Sequence, residues 1–574
     1  MKDCLAPAPA EAEARVLAPV EPAKSVYPPF EERLMLLYET WRESPVNSTA
    51  AALALAALLG QHPMVKKTGT KMEEQGPHSF KSTGFKVNPY EYRKWSKTPE
   101  GREYCKATGK LDCHGFDDEV YQRCPMLQKA LPRGCHVVEA LEAATGALLA
   151  CFVFKGIPKF GGLQPTDEDE ESPANANDFF INGKGIGDAK TVYVTEKSNG
   201  ENAKIWGFVI GGVRYLLTGS KNTVTVTPVD ALDALDASLS DDGGDHDEYP
   251  WSTIRRVVLQ WYRSMTEEQR DLLFELFEKS GTLLGEINRP WAEHLVPIGA
   301  TALELYTMLG ADGHCVAPSD AFGAFKRLGL SDDTSELVRH VRYVTFSKGE
   351  AAFDFNAMVE DVRNKSGTEG CVLYLVGADN KVFGLVKVKT TWYVVWRRVR
   401  ELLRTNLFGL LTRGLVRGVP ATATSTAKQQ PTKKKQQPLN EVLDDLGPLI
   451  EAGIDLLHFL PRWDSECAAW RTKALAFVAA LTARLQVLFI TECKAEAAAD
   501  LDGVVSVSAL DVLSSGVQDD AASKVLHAAF VAACNKWTAA FCSQYGTLVH
   551  QFERNLLLKP CETHADETGG GGAK

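Results

Sequence analysis

Four lysines and two isolated glutamates stand where they could act together on a phosphate. Lys197 closes an alternating stretch and runs straight into Ser-Asn-Gly, as "EKSNG". Glu286 sits in the short apolar run "LLGEIN", and Glu369 precedes the apolar run of "TEGCVLYLV". Lys387 and Lys389 stand two apart in "LVKVK", and Lys221 follows a strand-like run in "TGSKNT". A lysine attacks phosphorus only as the neutral amine, so its pKa must fall well below the ordinary value of about 10.4. The attacked phosphate needs cations around it. A nucleoside needs a carboxylate for its ribose hydroxyls, and a divalent metal needs carboxylate oxygens. Taken singly, each residue is ordinary: Lys-x-Asn-Gly recurs by chance, and a turn lysine is usually a surface residue. Their number and order make the set chemical.

Those side chains need strands to carry them. Residues 131–228 are strand-rich: "ALLACFVF" is strongly apolar, "TVYVTE" alternates, and "NAKIWGFVI" and "VRYLLTGS" flank Gly211-Gly212 as a hairpin. "TLLGEINR", "GCVLYLV" and "VFGLVKVK" are further strands. On an alternating strand Lys387 and Lys389 share one face, where two like charges are costly unless an anion lies between them. Helices are expected over 28–60, over "STIRRVVLQWYRSMTEEQRDLLFELFEKSG" and over most of 300–364. Trp392, Val395, Trp396 and Val399 form the apolar stripe of another helix. Residues 439–562 are Ala/Leu-rich with helical spacing. The expected organisation is a disordered extension over 1–27, a main domain over 28–418, a low-complexity linker over 419–438, a helical C-terminal domain over 439–562 and a disordered tail over 563–574.

The chain of 574 residues has a net charge of −11, which argues against a nucleic-acid binder until its distribution is considered. "DEDEE" (167–171) carries five acids and the segment Asp230–Glu248 eight, with no Lys or Arg in either. Without those thirteen charges the remainder carries +2. The acidity therefore belongs to two loop-like insertions, near 164–177 and 229–249. Residues 65–110 are basic and interleaved with aromatics ("HSFKSTGFKVNPYEYRKW"), a pattern suited to single-stranded RNA. Arg397, Arg398 and Arg400 could extend an RNA track.

Thirteen cysteines form no CxxC pair, and Cys105, Cys113 and Cys124 near His114 lack structural-zinc spacing. They are expected as free thiols in a reducing compartment, hence an intracellular protein, nuclear or cytoplasmic. No apolar run is long enough to span a membrane, and the first residues do not have the pattern of a signal or transit peptide.

The order Lys-x-Asn-Gly, Ser-Lys-Asn, Gly-Glu-Ile, Glu-Gly-x-Val, Lys-x-Lys resembles that of the covalent nucleotidyltransferases. More narrowly, the flanking residues are similar to the RNA ligases of the phage RNA ligase and fungal-type tRNA ligase group. "HSFKSTGFKVNPYEYRKW" is similar to their Ser-Trp-Lys…Tyr segment, "LPRGCHVVE" to their Ala-Arg-Gly strand, and "KVKTTWYVVWRR" to Lys-x-Lys-Thr-x-Trp-Tyr. "FKGIPKF" and "NDFFING" together resemble Pro-Lys-Phe-Phe-Asn, interrupted by the first acidic insertion. The resemblance covers about residues 75–415.

It implies an α+β fold: an antiparallel-sheet nucleotidyltransferase core with flanking helices, followed by the all-α C-terminal domain. It also implies an ATP-dependent RNA ligase using Mg2+, or Mn2+. Lys197 would take AMP from ATP, pass it to an RNA 5′-phosphate, and an RNA 3′-OH would displace it. Glu286 would hold the ribose and Glu369 serve the metal. Lys387 and Lys389 would stabilise the α-phosphate, with Arg133, Asn199, Gly200 and Lys221 completing the nucleotide site and Gly200 permitting a tight turn. Lys155 would meet RNA phosphate.

There are departures. Asn199 replaces the Asp of most superfamily members, Lys155 replaces an Arg, and Phe179 and Phe180 are displaced by the insertion. No P-loop and no paired His-x-Thr or His-x-Ser occur, so separate end-healing enzymes are expected as partners, with tRNA halves as the expected substrate and a monomer as the expected state. The alternatives are a capping-type guanylyltransferase and a catalytically silent RNA-binding protein on the same fold.

Overall fold

The computed structural model describes residues 48–99, 131–163, 184–229, 249–347 and 354–416, apart from 63, 293, 311 and 312, with helical residues 469–481 and 540–554 and a few scattered positions. The expected terminal extensions, both acidic insertions, Phe179 and Phe180, the linker, and Cys105, Cys113, His114 and Cys124 lie outside the described residues. The chain divides into two compact units. One holds the residues up to Thr390 except Trp291–Pro297 and Ser366–Thr368; the other holds those two pieces and everything from Thr391. The helix that begins at Thr391 belongs to the second unit.

The first unit carries three sheets, antiparallel but for one pair. β1 (Val65–Gln75), β2 (His78–Val87), β3 (Cys135–Glu142) and β4 (Leu148–Phe154) form the first, in that order. The second runs β11-β10-β9-β6-β7-β8, with β6 (Glu201–Ile210), β7 (Val213–Gly219), β8 (Val224–Pro228), β9 (Leu283–Asn288), β10 (Ala302–Met308) and β11 (Val338–His340). Among the described strand pairs only β10–β11 is parallel. The third runs β12-β5-β13-β14, with β5 (Thr191–Glu196), β12 (Tyr343–Ser347), β13 (Gly370–Val376) and β14 (Val382–Lys389). The β6–β7 hairpin turns on Gly211 and Gly212, both at positive φ (58° and 82°), as the tight turn matching strand twist requires.

Helices cover these sheets. α1 (Thr49–Gln61) is capped by Ser48, whose side chain accepts from Ala51 N, and packs Leu55 and Leu59 against Val137 and Cys151 of the first sheet. α2 (Pro89–Trp95) follows β2. α3 (Pro250–Ser264) and α4 (Glu267–Ser280), the latter entered through a Thr266–Gln269 capping box, bury Val257, Trp261, Leu273 and Phe277 against Ile205, Leu217 and Leu303 of the second sheet. α5 (Pro318–Arg327) adds Phe322 and Phe325. α6 (Phe355–Asn364) packs Val359 and Val362 against Leu373, Val386 and Val388 of the third. In the second unit α7 (Thr391–Val416) buries Trp392, Val395, Trp396 and Val399, the stripe read from the sequence, and the indole nitrogens of both tryptophans donate to Glu553. Among the described residues no helix is long and apolar enough to cross a membrane.

The strand-rich reading of 131–228 agrees with this architecture, and the fold is α+β with antiparallel sheets. Two expectations are corrected. Residues 300–364 are not mostly helical: β10, β11 and β12 lie there beside α5 and α6. "ALELYTM" has helix-forming residues, but buried Leu303 and Leu305 alternate with half-buried Glu304 and Tyr306, and pairing with β9 outweighs intrinsic propensity. Most aromatics of 78–95 are not a stacking surface: Phe80, Phe85 and Tyr92 are buried in the core, and Tyr90 is the exposed one.

Candidate active site

The sequence of the third sheet alternates so that its two faces differ. Leu373, Val386 and Val388 face α6, whereas Tyr193, Val372, Tyr374 and Leu385 form a separate cluster on the opposite face. Lys387 pairs with Val372 and Lys389 with Gly370 across β13–β14, so both ammonium stems emerge on that opposite face. Both are buried, as is Glu369. The backbone of Lys197 continues β5 by one residue, donating its N–H to Gly370 O at 3.0 Å. That bond brings Lys197 beside Glu369, and the Lys197 ammonium lies 3.2 Å from Glu369 Oε2.

The second sheet supplies the other carboxylate. Glu286 of β9 is level with Asn202 on β6 and Glu304 on β10, and Glu304 is level with Arg339 on β11. Four polar side chains thus form one row across four strands. Glu286 Oε1 is 3.7 Å from the Lys197 ammonium, and its Oε2 accepts from Gly200 N at 2.7 Å. Ser198 Oγ donates to Glu304 Oε2 at 2.5 Å, and Arg339 donates to Glu304 Oε1 through Nε (3.0 Å) and Nη2 (2.6 Å). Arg289 grips Glu201, the residue after Gly200, through two 2.6 Å bonds. The loop 197–201 is therefore held by polar contacts on both sides of the glycine.

Gly200 fits for a reason other than a tight left-handed turn. Its φ is not positive. A Cβ there would lie 2.6 Å from the Ile287 carbonyl oxygen and 2.5 Å from Asn288 Oδ1, so the loop passes against the backbone of β9 and only glycine leaves room.

Electrostatics follow from this packing. Burial pushes the Glu286 carboxyl up to about 7; the Lys197 cation opposes that and Glu369 adds to it. Burial and Glu286 also raise the Tyr306 phenol, whose hydroxyl lies 3.4 Å from Asn202 Nδ2.

Among the described residues no group of three or more His, Cys, Asp or Glu could hold a metal unaided. Glu369 is a carboxylate of the kind that binds a divalent cation together with substrate phosphates.

Of the residues singled out in the sequence, Lys197, Gly200, Glu286 and Glu369 are linked by direct contacts, and Lys387 and Lys389 share the face of the sheet that carries them. Asn199 lies within the same loop. Arg133 and Lys221 form a second cluster: burial and then the Arg133 cation lower the Lys221 pKa, while Asp117, at 3.6 Å, raises it. Lys155 is buried near the Cys135 thiol. Arg397, Arg398 and Arg400 lie on α7 in the second unit; Arg400 is buried and donates to Glu401 at 3.0 Å.

Sequence reasoning missed Ser198, Asn202, Glu304 and Arg339. Period-two alternation in "ALELYTM" is the signal that could have found Glu304. Lys204 was also missed. It is wholly buried, its ammonium meeting the Gly134 carbonyl, 3.5 Å from His136 Nδ1 and 4.1 Å from the Phe154 ring centre, and burial lowers its pKa to about 7.

No family model and no curated relative matches the chain. Among solved structures it is similar to Naegleria gruberi RNA ligase with PPi: 13% identity, 36% of this chain and 51% of that one, TM-score 0.24. A mutant of the same ligase with ATP and Mn matches at 12% identity, covering 37% of this chain and 53% of that one, TM-score 0.24. The chain thus spans about half the length of those structures. At that TM-score the likeness carries no argument, and the chemistry rests on the cleft itself.

Proposed function

We propose that the chain is an ATP-dependent RNA ligase that works through a lysyl-adenylate on Lys197. The observation that carries this reading is the convergence of Glu286 and Glu369, from two different sheets, on the Lys197 ammonium at 3.7 and 3.2 Å. A structural ion pair needs one carboxylate. Two, with two further buried lysines on the same sheet face, are what a site for a ribose and a phosphate requires.

In this reading Glu286 would turn to the ribose hydroxyls, and Glu369 would hold Mg2+, which would neutralise phosphate charge when bound. Both carboxyl groups that face the Lys197 ammonium would then be engaged by the nucleotide and its metal. Lys387 and Lys389 add positive potential, which favours the neutral amine. The amine attacks the α-phosphorus: an N–P bond forms, the bond to the bridging oxygen breaks, pyrophosphate leaves, and the amine proton passes to solvent. AMP then moves to an RNA 5′-phosphate, and an RNA 3′-OH displaces it to form the phosphodiester. Ser198, Glu304 and Arg339 fix the loop from below. The sequence resemblance favours tRNA halves as the RNA, healed by separate enzymes.

The test is intact-mass measurement after incubation with Mg2+ and either ATP or GTP. We expect an increment of one AMP with ATP, none with GTP, and none in Lys197→Ala. Labelling by GTP alone makes the protein a guanylyltransferase. Equal labelling of Lys197→Ala, or none of the wild type, removes the assignment.

A further inference from the structure

The first sheet treats its lysines in two ways. Lys81 on β2 stands opposite Glu139 on β3 and meets it at 2.9 Å. Lys71 on β1 meets Glu73 at 2.7 Å. Lys66 on β1, by contrast, stands directly opposite another lysine, Lys86 on β2. Residues opposite one another across an antiparallel pair point to the same face within about 5 Å, and like charges there are destabilising. The neighbouring residues lie on the other face: Phe85 belongs to the core under α1, and Lys67 lies along Gly60 at the end of α1.

The row continues beyond the pair. β2 and β3 register Phe85 with Cys135, so one further step brings Lys86 level with the turn that holds Arg133 and Gly134. Onto that turn folds the β7–β8 connection. His136 Nε2 is within 3.3 Å of Asn222 O, and a Cβ on Gly134 would be 3.3 Å from the Lys221 carbonyl. The Lys221 ammonium is close enough to Arg133 and Lys86 for both to disfavour its charge, with Asp117 as a carboxylate partner at 3.6 Å. Lys66 and the Lys221 side chain are solvent-accessible.

We propose that Lys66, Lys86, Arg133 and Lys221 form a ledge that binds successive backbone phosphates of a single-stranded RNA substrate. This deepens the ligase reading and rests on it for the identity of the polymer. Strands lie about 4.8 Å apart, so the row from β1 across β2 to the 133–134 turn spans about 10 Å. That exceeds one phosphate group and suits a chain of them. Phe80 and Phe85, the aromatics of β2, are buried in the core, so the ledge on that strand grips backbone without stacking bases and is tolerant of sequence. The basic stretch singled out in the sequence thus meets RNA through its lysines, and its aromatics serve to hold the sheet.

The experiment uses the full chain and a short fluorescent single-stranded RNA with a 5′-phosphate, its affinity measured across roughly 50 to 200 mM salt. Each phosphate contact on a single strand contributes about −0.7 to the slope of log K against log salt. Lys66→Glu/Lys86→Glu should make the slope shallower by about 1.4, so the affinity lost over that salt range shrinks about sevenfold. Lys66→Arg/Lys86→Arg should keep the wild-type slope. If the double glutamate variant melts early, Lys86→Gln alone should change the slope by about 0.7.

An unchanged slope overturns the ledge. So does an intact RNA affinity combined with a higher ATP requirement for adenylate formation, which would give the cations to the triphosphate. Intact mass on the same samples separates the two ideas. A wild type that forms no adenylate, yet loses RNA binding on Lys66→Glu/Lys86→Glu, removes the ligase reading and leaves the ledge standing.

Discussion

Replacing Glu286 with Gln should remove one pH dependence of stability and leave the backbone in place. The Glu286 carboxyl titrates at about 7, up from 4.5, because it is buried and faces Glu369, which together outweigh the opposing Lys197 cation. Between those values the folded protein keeps a proton that the unfolded chain has released. A folded state that binds more protons loses stability as pH rises through that window. Each pKa unit is worth about 1.4 kcal/mol, so the rise corresponds to about 3 kcal/mol, present below pH 4.5 and lost above pH 7. The side chain is 19% exposed, which trims the figure to about 2–3 kcal/mol. Gln can still accept from Gly200 N, so the loop keeps its anchor. Thermal melts of wild type and Glu286→Gln from pH 5 to pH 8 test this. The two should match at pH 5, and the variant should melt progressively higher than wild type towards pH 8. A difference that stays flat, or that favours the variant only at acid pH, would refute the account of how this carboxyl is buried.

The lysine buried under Gly134 gives the opposite slope: Lys204 titrates at about 7 instead of 10.5, so stability due to this group rises from pH 7 to pH 10.5. Lys204→Met should abolish that rise, read by the same melts, and a variant that tracks wild type to pH 10.5 would sink the reading. Gly200→Ala forces a methyl to 2.6 Å from the Ile287 carbonyl. It should cost about 1–3 kcal/mol of stability. By shifting the Lys197 loop about 1 Å, it should slow single-turnover adenylation about 100-fold; a rate within threefold of wild type would show that the loop has slack.

Much of the site was legible because it depends on local chemistry. "TVYVTEKSNG" shows a strand ending on a lysine; "LVKVK" shows two cations on one face, since side chains alternate on any strand. The glutamates were found as lone acids in apolar runs, a pattern that survives whatever the sheets do. The apolar stripe of α7 was legible for the same reason: 3.6-residue spacing is a property of the chain itself. Where propensity and pairing disagree, the sequence misled. "ALELYTM" contains good helix formers and is a strand because β9 lies beside it. Phe80, Phe85 and Tyr92 looked like a stacking surface and are core, since exposure is not written in a residue's own neighbourhood.

The residues alone singled out Lys197, Glu286, Glu369, Lys387 and Lys389 as candidate groups, because side-chain chemistry and strand period are local; the separate roles expected of them come from the sequence resemblance. Tertiary structure alone decided that Glu286 and Glu369, 83 positions apart, meet one ammonium from two sheets. It also decided that Glu304 and Arg339 brace the loop, that Gly200 is required by the passing β9 backbone, and that Lys66 faces Lys86 and not a carboxylate. Each of these is a long-range register between strands. Register is set by which whole faces are buried together, and no local stretch of sequence contains that information.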